Sequence, residues 1–275
     1  MKRLIPLCLM LLMASTNLSA REQVRVLVVG GIAMSGVWQK LKKAAEVATG
    51  LEIITVQAAP KESIIPSFVK GNAELMLIHG SDETYHLQAE GLAAPLQAWA
   101  YNEHVIVGPA EDPAGVGGAK SGVEAMRRIY QANAAMVGFR DPGSFSIMHH
   151  LWRLAGLQPR AKQQLPDESE RPQEVVLYAA KHRAYVIVGH IPVAFGKIPM
   201  GDYKVLLKND PIMRRVYVVV KPGWRHPASP EAKERAHRLA TYLLSPEGQE
   251  ALVKANHPSM WISPIPSATT TSSTK

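Results

Sequence analysis

The sequence predicts an α/β protein with largely parallel sheets. Apolar runs of strand length alternate with amphipathic stretches of helical spacing, and this alternation continues along most of the chain. Glycine-rich turns stand between several of these segments. Alternation of this kind is typical of α/β folds, in which ligands bind at the carboxyl ends of the strands.

The first half of the chain opens with a predicted strand at residues 24–29. A helix is expected from Ser35 to about Gly50, because Trp38, Leu41 and Ala45 recur at helical spacing and the glycine can end it. The segments that follow are predicted as a strand at 52–57, a helix at 63–69, a strand at 74–79 and a polar helix through His86.

The second half continues the same pattern after a glycine-rich loop. It is predicted to contain strands at 104–108, 134–139, 184–189, 203–207 and 216–220, and helices at 122–133 and 144–157. Residues 265–275 have few apolar side chains, and we expect this tail to be disordered.

The N-terminus has the three parts of a secretory signal. Lys2 and Arg3 precede an apolar stretch at residues 4–13, and small and polar residues lead to Ala20. The stretch is shorter than the roughly 20 residues that span a bilayer. We therefore expect residues 1–20 to be removed on export. The only cysteine, Cys8, lies in this segment, so the mature chain would have neither disulfides nor thiol chemistry.

The chain carries a net charge of +8, which removal of Lys2 and Arg3 lowers by two. Such a surplus would favour an anionic ligand or surface, although on composition alone a solvated basic surface is the better explanation. No basic run is interleaved with aromatic residues, so nucleic acid is not an expected partner.

Two strand–helix junctions are candidate anion-binding loops. At the first, Gly30 and Gly31 allow close approach of the backbone, and Ser35 can cap the following helix. At the second, Arg140 is followed by Ser144 and Ser146 at a helix start, where unpaired N–H groups favour an anion. The alternative interpretation is that both are ordinary turns whose polar groups only cap helices.

His79 ends the strand predicted at 74–79 and is the histidine best placed for ligand contact. Its alternative role is a histidine held by hydrogen bonds at the sheet edge. His149 and His150 are adjacent and point to different helix faces, so no metal site is expected. The chain has neither a dinucleotide fingerprint nor a nucleophile elbow, so we expect no cofactor, no catalytic residue and no enzymatic activity.

Four segments resemble the tungstate-binding periplasmic proteins of bacterial ABC importers. They are the hinge-like stretch YNEHVIVGPAEDPAGVGGAKSGVEAMRRI, the preceding GNAELMLIHG, and later LWRLAGLQP and LLSPEGQEALV. The similarity runs in the same order from about Val24 to Pro264. It implies a two-lobed, type II Venus-flytrap fold whose chain crosses between lobes near Val105 and Val218. Lobe 1 would comprise residues 21–104 and 218–264, and lobe 2 residues 105–217.

The same resemblance implies a function. The protein would be a periplasmic monomer that binds a small oxyanion, tungstate- or molybdate-like, between the lobes and delivers it to a permease and an ATPase. The pocket loops depart from the family pattern: Val28 and Val29 replace hydroxyl residues, the arginine of the second loop is displaced by two positions to Arg140, and Glu170, Arg171 and Glu174 occupy a loop that is glycine-rich in the family.

These departures leave alternatives open. The fold could serve as a receptor or sensor subunit for an organic anion without tungstate specificity, and a secreted enzyme is the third hypothesis. On the first two, we expect Arg140 to be the main charged contact, with Ser144 beside it and the backbone at Gly30 and Gly31 opposite.

Overall fold

The computed structural model describes residues 21–265. The predicted signal segment at 1–20 and residues 266–275 of the predicted disordered tail lie outside the described residues. The first residue of that tail, Ile265, is fixed by its backbone N–H, which donates to Gln249 Oε1 at 3.0 Å.

The strands fall close to the apolar runs of the sequence. Val24, Val26 and Val28 alternate into one core cluster, while Leu27 packs into another, so β1 is covered on both faces. The strands are β1 (Gln23–Val29), β2 (Glu52–Ala59), β3 (Leu75–His79), β4 (Gln97–Gly108), β5 (Met136–Gly138), β6 (Gln164–Pro166), β7 (Tyr185–Gly189), β8 (Lys204–Leu207), β9 (Arg214–Val220) and β10 (Ser263–Pro264).

Helix ends follow capping chemistry that the sequence carries locally. Ser121, Asp141, Ser229 and Ser245 each accept a backbone N–H at a helix start. The helices are α1 (Gly30–Met34), α2 (Val37–Thr49), α3 (Lys61–Val69), α4 (Asp82–Ala89), α5 (Gly122–Gln131), α6 (Pro142–Ala155), α7 (Val175–Lys181), α8 (His190–Ala194), α9 (Pro230–Leu244) and α10 (Pro246–Asn256).

The strands form one path in the order β2-β1-β3-β9-β4-β7-β5-β6, with β8 and β10 also paired to β4. The outer pairs are parallel, as expected for strands joined through helices. The pairs made by β4 and β9 with their neighbours are antiparallel. The α/β class predicted from the sequence is confirmed, with these long strands as its antiparallel centre.

Strand β4 belongs to two halves of the molecule. Its residues 97–103 pair with β9, and its residues 104–108 pair with β7 and β8. We call the part containing β1–β3, β9 and β10 lobe 1, and the part containing β5–β8 lobe 2. Each has its own buried clusters on the two faces of its sheet. The chain thus enters lobe 2 at His104.

The return to lobe 1 comes before β9. A 3₁₀ turn at Pro211–Met213 follows β8, and Arg214 already pairs with Glu103 of β4. This crossing lies a few residues earlier than the position near Val218 expected from the sequence. Within residues 21–265, none of the helices combines the length and the apolar character of a bilayer-spanning segment.

Candidate functional site

A cavity of about 370 Å³ lies between the two lobes. Lobe 1 contributes the ends of β1 and β3, and lobe 2 contributes the end of β7 and the start of α6. The cavity therefore sits at the carboxyl ends of strands from both halves, which is where ligands bind in open α/β sheets.

The polar floor of the cavity consists of His79, Asn102, His104, Arg215 and Tyr217. His79 on β3 faces Tyr217 on β9, and Asn102 on β4 faces Arg215 on β9. Side chains two apart on a strand share a face, so the three strands present these groups on the same side of the sheet. All five residues line the cavity.

Arg215 supplies the charge of the polar floor. Its side chain is half-buried, and among residues 21–265 no carboxylate approaches its guanidinium within ion-pair distance. Burial lowers the pKa of Arg215, and the negative charge of Asp141 opposes this shift. A partly desolvated guanidinium without a partner gains strongly from an anion placed beside it.

The two floor histidines are neutral groups. Burial, reinforced by the positive charge of Arg215, holds the pKa of His79 well below its usual range and also lowers the pKa of His104. His79 Nε2 donates to Asn102 Oδ1 at 3.2 Å. The His79 ring is stacked on Tyr217, with 4.2 Å between centroids and 22° between planes.

Two polar atoms of the floor are buried without a partner among the described residues. They are the Tyr217 hydroxyl and His104 Nδ1. Burial also raises the pKa of Tyr217, so its hydroxyl keeps its proton and remains a donor. A buried polar atom without a hydrogen bond is costly, and a ligand that supplies the missing bond removes that cost.

The start of α6, in lobe 2, lies opposite this polar floor. Asp141 Oδ2 accepts the backbone N–H of Ser144 at 2.8 Å and the Ser144 hydroxyl at 3.0 Å. The hydroxyl proton of Ser144 is therefore directed to Asp141. This serine offers the cavity an acceptor, whereas the sequence suggested a donor.

The rest of the lining is largely apolar, and its further charged residues are Lys61, Glu62, Asp141 and Lys197. Lys61 is engaged by Glu83, with Nζ 2.5 Å from Oε1, while Lys197 is exposed and makes no ion pair among the described residues. The apolar side chains come from both lobes and are Val29, Met34, Ile78, Phe139, Ile191, Pro192 and Ile198.

Four of the seven residues predicted from the sequence line the cavity. They are Gly30, Gly31, His79 and Ser144. Ser35 does not, because its hydroxyl donates to the Ile32 carbonyl oxygen at 2.8 Å at the end of α1. Ser146 is exposed on α6 and is also absent from the lining.

Arg140 is not brought to the cavity. Its Nη2 donates to the Ser169 carbonyl oxygen at 2.5 Å, and its Nε lies 3.5 Å from Asp167 Oδ2, whose side chain is 0 % exposed. The guanidinium thus fixes the loop after β6 instead of facing the cleft. The arginine that lines the cavity is Arg215, which the sequence did not single out.

Sequence reasoning missed Arg215, Tyr217, Asn102 and His104. A signal for them exists: Asn102 and His104 on β4, and Arg215 and Tyr217 on β9, are two residues apart and therefore share one face of their strand. Among residues 21–265, no three histidine, cysteine, aspartate or glutamate side chains are grouped so that they could hold a metal ion.

Known proteins resemble this chain in sequence and in fold. Residues 26–255 match the family model described as bacterial extracellular solute-binding protein. A Haloferax volcanii protein named as an ABC transporter anion-binding protein is 30 % identical over 90 residues, which are 32 % of this chain and 26 % of the relative. The match thus spans about a quarter of that relative's length.

Two solved structures share the fold. The tungstate ABC transporter structure from Geobacter sulfurreducens superposes with a TM-score of 0.66 at 20 % identity, covering 85 % of this chain and 98 % of that one. The tungstate-binding protein from Desulfovibrio alaskensis G20 gives a TM-score of 0.72 at 19 % identity, covering 89 % and 99 %. At these identities the likeness concerns the fold.

Proposed function

The chain belongs to the bacterial extracellular solute-binding proteins, and from this premise we propose that it is the receptor of an ABC importer that holds a small anion between its lobes. Its working place would be the periplasm, after export directed by residues 1–20. Its partners would be a permease and an ATPase of the inner membrane. The cavity would bind its ligand without a reaction.

The observation that carries this proposal is Arg215. A half-buried guanidinium lines the interlobe cavity, and no carboxylate among the described residues pairs with it. The Tyr217 hydroxyl, buried beside it without a partner, adds a neutral donor. Together they give an anion one charged and one neutral contact in a space that both lobes enclose.

The remaining predicted residues fit this proposal in changed roles. Gly30 and Gly31 would form the lobe 1 wall, and the hydroxyl of Tyr217 lies 3.3 Å from the place where a Cβ of Gly31 would stand. His79 would present its ring, whereas the Ser144 hydroxyl already donates to Asp141 and would give the anion no hydrogen bond. Arg140 leaves the proposed site and would hold the loop behind it.

The comparisons support an anionic ligand but do not identify it. The matched Haloferax volcanii relative is named for anion binding, and the two solved neighbours are named for tungstate. A tetrahedral oxyanion and an organic anion are the two ligand classes to be distinguished.

Isothermal titration calorimetry with a panel of tungstate, molybdate, sulfate, acetate and hexanoate tests the proposal. At least one anion should bind the wild-type protein, and Arg215→Gln should weaken that binding at least about tenfold, since a hydrogen bond to a charged group contributes roughly 1.5–3 kcal/mol. The matched control is Arg214→Gln, an exposed neighbour on the same strand that does not line the cavity. Equal losses in both variants would show that Arg215 is no specific contact.

A further inference from the structure

We infer that the ligand is an organic carboxylate with an apolar body, and that the cavity discriminates against tetrahedral inorganic oxyanions. This inference rests on the proposed function, because it takes the interlobe cavity as the binding site. It is carried by the size of the cavity, by the chemistry of its lining and by the number of free hydrogen-bond donors.

The cavity is larger than a tetrahedral oxyanion requires. Its volume of about 370 Å³ falls within the range of sites that enclose small organic molecules. Ile78 of lobe 1 and Ile198 of lobe 2 both line it, and each is at most 5 % exposed. Such a lining gives an apolar ligand body favourable contact from both sides and gives an inorganic oxyanion none.

Three of the donors around the cavity are committed to the protein, while Arg215, Lys197 and the hydroxyls of Ser81 and Tyr217 have no partner among the described residues. The Ser144 hydroxyl donates to Asp141, the Nε2–H of His79 donates to Asn102, and Lys61 is paired with Glu83. A dehydrated dianion is stable only when hydrogen bonds replace its water on every side. A single carboxylate requires fewer donors and matches the planar fork of Arg215.

Asp141 further favours a singly charged ligand over a doubly charged one. Its carboxylate lines the cavity, and its charge acts on both Arg215 and His104. Part of the positive potential of Arg215 is therefore already balanced. What remains suits a monoanion better than a dianion, because like charges repel strongly in a partly desolvated space.

A series of straight-chain acids provides the test. Acetate, butyrate and hexanoate share one carboxylate and differ only in apolar length, and hexanamide has the body without the charge. In calorimetric titrations each added CH₂ should tighten binding by up to about fourfold. Tungstate and sulfate should bind more weakly than hexanoate.

Two substitutions of methionine by the similarly shaped glutamine distinguish the contribution of the apolar wall to binding from that of the charge. Met34 is partly buried and lines the cavity, whereas Met260 is 51 % exposed elsewhere. Met34→Gln should weaken hexanoate severalfold and leave acetate unchanged, and Met260→Gln should change neither.

The outcomes distinguish this inference from the proposed function. Tungstate binding more tightly than hexanoate, with a flat acid series, overturns the inference and leaves an anion receptor. Failure of every anion to bind, or hexanamide binding as tightly as hexanoate, overturns the proposed function itself.

Discussion

The Arg215 guanidinium of lobe 1 rests on the backbone of Gly143 of lobe 2, so closely that any Cβ at position 143 would collide with its Nη1 and Cζ. The absence of a side chain at residue 143 thus allows lobe 2 to approach the proposed anion-binding group closely at this point.

Gly143→Ala should therefore weaken ligand binding at least about tenfold, by displacing the guanidinium. Small-angle scattering with saturating ligand should show less of the decrease in radius of gyration expected for a hinge closure. Ser146→Ala is the matched control, because Ser146 is exposed on the same helix and does not line the cavity. Equal behaviour of the two variants would contradict the role given to Gly143.

Tyr217→Phe should change stability and affinity in opposite directions. The hydroxyl is buried at 0 % exposure without a partner, so its removal should raise the free energy of unfolding of the ligand-free protein by about 1 kcal/mol. The same change should weaken ligand binding. Tyr203→Phe is the contrasting control, because that hydroxyl donates to the Ala179 carbonyl oxygen at 3.1 Å and its loss should destabilise. Urea unfolding measures the change in stability, and calorimetry measures the change in affinity. A Tyr217→Phe protein that is less stable than wild type would contradict the expected gain in stability.

Arg140→Ala should lower stability and leave affinity within about twofold. The change removes the bond to Ser169 and leaves the buried Asp167 carboxylate without its cation, at a cost of about 1–3 kcal/mol. Thermal unfolding and titration of the same preparation measure both quantities. A tenfold loss of affinity at unchanged melting temperature would restore the ligand-contact role expected from the sequence.

Acid should destabilise the protein through the floor histidines. Burial lowers the pKa of His79 and His104 in the folded state, so below about pH 6.5 the unfolded chain binds protons that the folded protein does not. Each such histidine removes up to about 1.4 kcal/mol of stability per pH unit as the pH falls. His104→Gln should flatten the decline between pH 7 and 5, and His86→Gln, at an exposed position, should not. Chemical unfolding at a series of pH values measures the slopes, and equal slopes in wild type and His104→Gln would contradict the assignment.

The fold was readable from the sequence because its signals are local. The valines of β7, for example, lie in a short apolar run, and those of β1 alternate around Arg25 before a similar run, as is typical of buried strands. The short helix α1 was not predicted, since the five residues Gly30–Met34 give too few turns for a periodic pattern.

The site was only partly readable, because it depends on pairing between distant strands. Gly31 follows the end of β1 and His79 ends β3, and both positions can be recognised from the sequence alone. Arg215 reaches the cleft because β9 pairs with β4 in a register that sets it opposite Asn102, and no local pattern encodes that register. Nothing local separates Arg140 from Arg215 either, because Arg140 is held by the distant Asp167 and Ser169.

Because Glu103 and Arg214 face each other across an antiparallel pair, residues 104–213 form an insertion at the tip of a β-hairpin. A turn of about two residues is enough to join such a pair. Excision of the insertion would leave a continuous lobe 1, deprived of the packing that Ile191 now contributes to its core. The two-lobed protein is thus a smaller sheet domain with a second domain built into one of its turns, and the two halves of the proposed ligand site belong to different domains.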